Sequence, residues 1–135
     1  MIFVDTGPIV ARYLEDDQHH EVAEAVWDRL ERNKERFALS SLVLAESLNL
    51  LSQRAEPAFA ASKGRLLLGS EMFRLLRPDL EHEAQALWMM SKFTDQKVGF
   101  TDCVSFALMR AHRIHRAFTF DRHFDILGFE RFPLS

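Results

Sequence analysis

The pattern of apolar and polar residues along the chain predicts short strands that alternate with longer helices. Runs of mainly apolar residues, each three to five residues long, are typical of β-strands. They lie at residues 2–4, 37–39, 72–76, 117–120 and 129–132. Because strands that alternate with helices usually form one mostly parallel sheet with right-handed crossovers, we expect an α/β fold.

The first strand leads directly into a predicted helix. Thr6 is the expected N-cap, Pro8 stands where the first helical turn tolerates proline, and apolar residues follow at helical spacing. In the next polar loop, Asp17 is the expected cap of an amphipathic helix, and His19 and His20 are expected to be solvent-exposed. The inward face of that helix is predicted to comprise Val22, Ala25, Val26 and Leu30.

A third helix, capped by Ser40 or Ser41, is apolar nearly all round and is therefore predicted to be heavily buried. Glu46 stands in its middle. Burial of an unpaired carboxylate costs several kcal/mol, so a buried Glu46 needs a cation, a hydrogen-bonding partner or a raised pKa. In the alternative interpretation, Glu46 lies on the one exposed edge of the helix with Asn49 beside it.

Three further helices are predicted from the remaining pattern. They are expected over residues 58–69, over residues 78–93 and from residue 101 onward. The cluster Trp88–Met90 is expected to lie in the core or in a contact between subunits. The inner face of the last helix is predicted to comprise Cys103, Val104, Ala107, Leu108 and Ala111.

Length and composition indicate one globular domain over residues 1–135. A hydrophobic share of 47% and twelve phenylalanines exclude a disordered protein. The net charge of −3 means that a nucleic-acid partner would need a local basic patch or a bridging metal ion. The single cysteine, Cys103, excludes an internal disulfide and a four-cysteine zinc site, and it suits a reducing cytoplasm.

Apolar runs in the chain are too short for a membrane span. None approaches the roughly 20 residues that a membrane helix needs. The first residues also lack the basic segment and the longer apolar run of a signal peptide. We therefore expect a soluble, cytoplasmic protein without a membrane partner.

Three aspartates are expected to meet at one edge of the sheet. Asp5 and Asp121 directly follow apolar strands, and Asp102 begins a helix. Each alone is explained as a turn or capping residue, but carboxyl ends of parallel strands share an edge. Gathered carboxylates repel one another unless a cation lies among them. Oxygen ligands without a His–Cys set favour Mg²⁺ or Mn²⁺ over zinc.

Four segments in order also resemble a known family, the PIN-domain ribonucleases, and within it the VapC-like toxins of toxin–antitoxin pairs. The segments are FVDTGPIVARYL with Asp5, SSLVLAESLNLL with Glu46, GFTDCVSFALM with Thr101 and Asp102, and AFTFDRHF with Asp121. The resemblance covers almost the whole chain. It implies a three-layer α/β/α Rossmann-like domain and metal-dependent, endonucleolytic hydrolysis of RNA.

The same resemblance implies roles for individual residues and partners. Asp5, Asp102 and Asp121 would be ligands of Mg²⁺ or Mn²⁺, and Glu46 would bind the metal or its waters. Any of these four carboxylates could orient the attacking water. Thr6 and Thr101 would be supporting hydroxyls. The family also implies an RNA substrate, a homodimer and a cognate antitoxin whose C-terminal segment occupies the acidic cleft.

A basic segment precedes and follows the last of these acids. Between residues 110 and 122 four arginines stand against one acidic residue, so the segment is about +3 in a protein of net charge −3. We predict that these arginines contact RNA, with solvated surface charge as the alternative. They are Arg110, Arg113, Arg116 and Arg122.

Two other functions are compatible with some of these residues. A phosphatase could use Asp5 as an aspartyl nucleophile, but that chemistry usually places a second acid two residues later, where this chain has Gly7. A non-catalytic RNA- or protein-binding module could use the acids only to hold a structural ion. Metal-dependent cleavage of single-stranded RNA distinguishes the ribonuclease from both.

Overall fold

A five-stranded sheet forms the centre of the fold in a computed structural model that describes residues 1–133. The strands are β1 (Ile2–Val4), β2 (Phe37–Ser40), β3 (Phe73–Leu76), β4 (Arg116–Phe118) and β5 (Glu130–Phe132). They run parallel in the order β3-β2-β1-β4-β5. The predicted α/β sheet is confirmed, and β1 lies at its centre.

Seven α-helices within residues 1–133 complete a three-layer α/β/α domain. They are α1 (Thr6–Tyr13), α2 (His20–Arg32), α3 (Ser41–Arg54), α4 (Pro57–Gly69), α5 (Leu80–Lys92), α6 (Phe100–Ala111) and α7 (His123–Ile126). A short 3₁₀ turn, Thr94–Gln96, separates α5 from α6. None of the helices in this part of the chain is long and apolar enough to cross a membrane.

Trp27 of α2 is the largest fully buried side chain and ties several elements together. Its ring contacts those of Phe37, Phe73 and Phe118 at centroid distances of 5.1, 6.0 and 5.0 Å. Its indole N–H donates a hydrogen bond to the carbonyl of Pro8 at 3.1 Å. Trp27 therefore fixes the first turn of α1 against the sheet, and that turn follows Asp5 directly.

The start of α1 differs by one residue from the prediction. Asp5, not Thr6, is the N-cap, and its side chain does not cap the helix. The backbone of Asp5 remains extended because its N–H still donates to Phe118 across the sheet, at 3.0 Å. The strand therefore gives way to the helix immediately after Asp5, and Thr6 becomes the first helical residue.

The second helix is rotated by about one position relative to the prediction. Its buried residues are Ala23, Val26, Trp27 and Leu30, whereas the predicted Val22 and Ala25 are exposed. The large indole of Trp27 sets this rotation because it fills the space against three strands. Asp17 does not cap the helix either, since its carboxylate accepts hydrogen bonds from Arg54 at 2.7 Å and from the His19 N–H at 3.0 Å.

Helix α3 begins as predicted but is less buried than expected. The Ser40 side chain caps it by accepting a hydrogen bond from the Val43 N–H at 3.0 Å. Only Val43, Ser47 and Leu51 are fully buried. Glu46 and Asn49 are exposed, so the prediction of a buried Glu46 is wrong and the exposed-edge interpretation is confirmed.

Two further expectations about side-chain burial are corrected in α5 and α6. Met89 is buried, but Trp88 is 59% exposed, so it is not part of the core. Ala111 is exposed because it lies in the last turn of α6, beyond the buried run from Cys103 to Met109. A role of Trp88 in a subunit contact stays a prediction.

Candidate active site

The sheet topology brings the first and last strand-end aspartates together. β1 and β4 are neighbours, and their register pairs Val4 with Phe118 at their carboxyl ends. Asp5 follows β1 directly, and Asp121 lies just beyond the end of β4. Asp102, in the first turn of α6, completes the group. The three predicted aspartates therefore lie at one edge of the sheet.

Thr119 links two of these acids. Its hydroxyl donates a hydrogen bond to Oδ2 of Asp5 at 2.8 Å and accepts one from the N–H of Asp121 at 3.0 Å. Its side chain is fully buried. We did not identify Thr119 from the sequence, where the only signal is a hydroxyl residue two positions before a strand-end acid. Its position makes the carboxylate of Asp5 and the backbone of Asp121 one rigid unit.

His123 is a second site residue that sequence reasoning missed. Asp102, Asp121 and His123 carry ligand atoms that all lie within 4.8 Å of one another. The Nε2 atom of His123 donates to the Gln96 carbonyl at 2.8 Å, because a carbonyl can only accept. Its Nδ1 atom lies 2.7 Å from Oδ1 of Asp121 without hydrogen-bond geometry, so this buried nitrogen has no partner among the described residues.

Burial and crowding raise the pKa values of two aspartates. Burial, followed by the charges of Asp121 and Glu46, raises the pKa of Asp5 to about 6, although the Thr119 hydrogen bond opposes the rise. The pKa of Asp102 rises to about 8 through burial, the charge of Asp5 and the hydrogen bond and charge of Asp121. A cation among these oxygens would remove the repulsion, and the oxygen-rich donor set fits a divalent metal ion.

Glu46 contributes to the cluster from its exposed rim. Although its side chain is exposed on α3, its negative charge raises the pKa values of both Asp5 and Asp102. Of the predicted supporting hydroxyls, that of Thr6 is buried without a hydrogen-bond partner in the described residues. Thr101 is half-buried, and its carbonyl accepts a hydrogen bond from Ser105 at 3.0 Å. The roles of both threonines stay predictions.

Three of the four predicted RNA-binding arginines lie away from the acids. Arg116 begins β4, at the opposite end of the strand, and its guanidinium forms two hydrogen bonds with Glu35 at 2.9 and 3.0 Å. Arg110 lies in the last turn of α6, roughly 12 Å along the axis from the acid in its first turn, and Arg113 follows it. Only Arg122 is next to one of the acids in the chain. RNA contact by this set stays a prediction.

The buried hydroxyl of Thr119 leads to a direct test of the cluster. In Thr119→Val, Oδ2 of Asp5 and the N–H of Asp121 lose their partner, while the shape of the side chain is kept. We expect the free energy of unfolding to fall by about 1–3 kcal/mol, measured by urea denaturation. Thr119→Ser keeps the hydroxyl and serves as the matched control. A loss in Thr119→Val that is no larger than the loss in Thr119→Ser would contradict a special contribution of the two hydrogen bonds.

The chain is similar to known proteins both in sequence and in fold. The family model for the PIN domain matches residues 2–130. The chain is 31% identical over 130 residues to the 23S rRNA-specific endonuclease VapC20 of Mycobacterium tuberculosis, covering 96% of this chain and 95% of the relative.

Two solved structures share the fold. The crystal structure of M. tuberculosis VapC20, described as a Sarcin-Ricin loop cleaving toxin, superimposes with a TM-score of 0.84 at 30% identity and 96% coverage of both chains. A chain of a toxin–antitoxin complex from Klebsiella pneumoniae superimposes with a TM-score of 0.63 at 15% identity, over 90% of this chain and 88% of that one. The second match concerns the fold alone. With its parallel sheet and its acids at the carboxyl edge, this chain belongs to the PIN domain family and, within it, to the VapC type.

Proposed function

We propose that the protein is a metal-dependent endoribonuclease that hydrolyses phosphodiester bonds of RNA and acts as the toxin of a toxin–antitoxin pair. The observation that carries this proposal is the meeting of Asp5, Asp102 and Asp121 at one sheet edge, with two of their pKa values raised to about 6 and about 8. Such a site favours a bound cation over free carboxylates. The similarity to a named endonuclease supports the same reaction.

In this proposal Asp5, Asp102 and Asp121 hold Mg²⁺ or Mn²⁺, and Glu46 binds the ion or its waters from the exposed rim. When bound, such an ion supplies Lewis-acid stabilisation of the phosphate oxygens and lowers the pKa of a water molecule. The carboxylates orient the attacking water by accepting its hydrogens. The hydroxyl of Thr119, which donates to Oδ2 of Asp5 at 2.8 Å, restricts the rotation of that ligand.

The substrate we propose is ribosomal RNA. The support is the relative at 31% identity, whose name specifies 23S rRNA. The gathered acids support hydrolysis of a phosphodiester, and the choice of ribosomal RNA rests on the relative alone. We also propose, from the VapC type alone, a cytoplasmic protein with a cognate antitoxin and a homodimeric assembly.

The test is a cleavage assay with purified protein and end-labelled ribosomal RNA. We expect endonucleolytic fragments in Mg²⁺ or Mn²⁺, loss of cleavage in excess EDTA, and recovery when Mn²⁺ is added back. Equal cleavage in EDTA would overturn metal dependence. Binding of RNA without any cleavage would favour the non-catalytic module. Hydrolysis of a small phosphomonoester through a trapped acyl-phosphate on Asp5 would favour the phosphatase.

A further inference from the structure

A cavity of about 260 Å³ is lined by both chain neighbours of Asp121 and has no assigned role. These neighbours are Phe120 and Arg122, so the segment that carries one proposed metal ligand also forms part of the cavity. Its size lies below the roughly 300–1,000 Å³ of pockets that hold drug-sized molecules. It is lined by His19, Val22, Phe120, Arg122, Arg131 and Pro133.

Stacked aromatic rings form one wall of this cavity. The rings of His19 and Phe120 lie 4.3 Å apart at an angle of 24°. Phe120 also meets the fully buried Phe118 edge to face, at 6.2 Å and 80°. On another side, a Cβ added at Gly7 would lie only 3.0 Å from the Phe120 ring, so this ring packs closely against the first turn of α1. The aromatic wall is therefore held by the same elements that position Asp5.

Of the two arginines that line the cavity, only Arg122 has a guanidinium that is free to bind a ligand among the described residues. Arg131 is buried and donates to Asp125 at 3.0 Å, so its charge is compensated within the protein. Arg122 is exposed and forms no ion pair with the residues that the structure describes. Aromatic surface for stacking, combined with a guanidinium for phosphate or base, is the arrangement that binds unstacked bases of single-stranded RNA.

We propose that this cavity binds one unstacked base of a single-stranded RNA, next to the phosphodiester that the acids hydrolyse. The inference rests on the proposed ribonuclease function and adds to it a substrate subsite. The base enters the cavity and meets the rings of His19 and Phe120, while Arg122 contacts the adjoining phosphate. A site of this kind recognises RNA whose bases are splayed out of a helix, in a loop or a single strand.

The test measures binding of a short fluorescein-labelled single-stranded RNA by anisotropy, in the Asp102→Asn background so that cleavage does not interfere. A matched series of RNAs lacks one base each, at successive positions. We expect His19→Ala and Phe120→Leu to weaken binding of the intact RNA about 5- to 100-fold, the range of a lost aromatic stack. The RNA that lacks the recognised base should bind the Asp102→Asn protein as weakly as the intact RNA binds the two cavity variants. Binding of that RNA should not be weakened further by His19→Ala or by Phe120→Leu.

Controls separate base recognition from general effects. Trp88→Ala removes an aromatic side chain that is 59% exposed and outside the cavity, and it should leave binding unchanged. Arg122→Gln should weaken binding of every RNA in the series and flatten its salt dependence, whereas the exposed Arg65→Gln should not. If Phe120→Leu fails to fold, two other measurements test the subsite. Binding should be weakened in His19→Ala, and RNA that contains 5-iodouridine should crosslink to cavity residues when the cavity carries no substitution.

The outcomes distinguish the subsite from the proposed function. If every missing base has the same effect in the parent and in the variants, or if crosslinks map outside the cavity, the subsite is overturned even when metal-dependent cleavage is observed. If the base-dependent loss is found but the unmodified protein cleaves no RNA, the subsite stands and the ribonuclease function fails. The subsite would also be overturned if the cavity bound an apolar peptide that competes with RNA, while RNA binding itself did not depend on any single base.

Discussion

Replacing Asp5 by asparagine should lower the rate of RNA cleavage by at least about 100-fold without unfolding the protein. The substitution removes one negative charge from the proposed metal site. The amide oxygen of asparagine can still accept the hydrogen bond that Thr119 donates at 2.8 Å, so the local structure is kept. The rate should be measured under single-turnover conditions with saturating Mn²⁺, and folding should be checked by circular dichroism.

Asp28→Asn is the matched control, because Asp28 is exposed on α2 and the same charge is removed. Its cleavage rate should equal that of the unmodified protein. Asp102→Asn and Asp121→Asn should resemble Asp5→Asn. A cleavage rate of Asp5→Asn within a few-fold of the parent would remove this residue from the metal site and with it the proposed mechanism.

The metal-free protein should lose stability as the pH rises from about 4 to about 8. The folded-state pKa values of Asp5 and Asp102, about 6 and about 8, exceed the ordinary value of 3.8. The folded protein therefore keeps protons that the unfolded chain has released, and the free energy of unfolding falls until the pH has passed both values. The rise for Asp5 alone corresponds to about 3 kcal/mol.

Urea denaturation in EDTA across this pH range measures the effect. Asp5→Asn should be more stable than the parent near pH 7 and should show a shallower decline. Added Mn²⁺ should raise the free energy of unfolding of the unmodified protein. The expected rise is about 2.7 kcal/mol when the Mn²⁺ concentration is 100 times the dissociation constant of the metal. Asp17 and Glu35 have lowered pKa values because they bind arginines, and their contribution is lost only in more acidic solution. A free energy of unfolding that is constant between these pH values would contradict the raised pKa values of Asp5 and Asp102, which burial and the neighbouring acids cause.

The sequence could predict that Asp5 and Asp121 meet at one sheet edge because their positions follow from topology. Once Asp5 and Asp121 are assigned to the carboxyl ends of parallel strands, a shared edge is the only arrangement that a parallel sheet permits. Thr119 could not be predicted in the same way. Its role depends on the distance of its hydroxyl from two groups in neighbouring segments, and the apolar pattern contains no information on such distances.

Packing decided the points at which the pattern failed. The rotation of α2 follows from the contacts of Trp27 with rings on three strands. The spacing of apolar residues did not predict it, because spacing alone does not take the size of each side chain into account. Likewise, a count of basic residues cannot reveal that Arg116 pairs with Glu35, which is 81 positions earlier. The burial of Glu46 was predicted wrongly because the fold leaves one side of the apolar helix α3 exposed to solvent.

The hydrogen bond between Thr119 and Asp5 joins residues that are 114 positions apart. During synthesis, β1 is made first, but its neighbour β4 emerges only after more than a hundred further residues. A nascent chain that lacks β4 has neither the anchor for Asp5 nor the last aspartate. We therefore expect partial chains that end before residue 121 to lack the proposed hydrolytic activity.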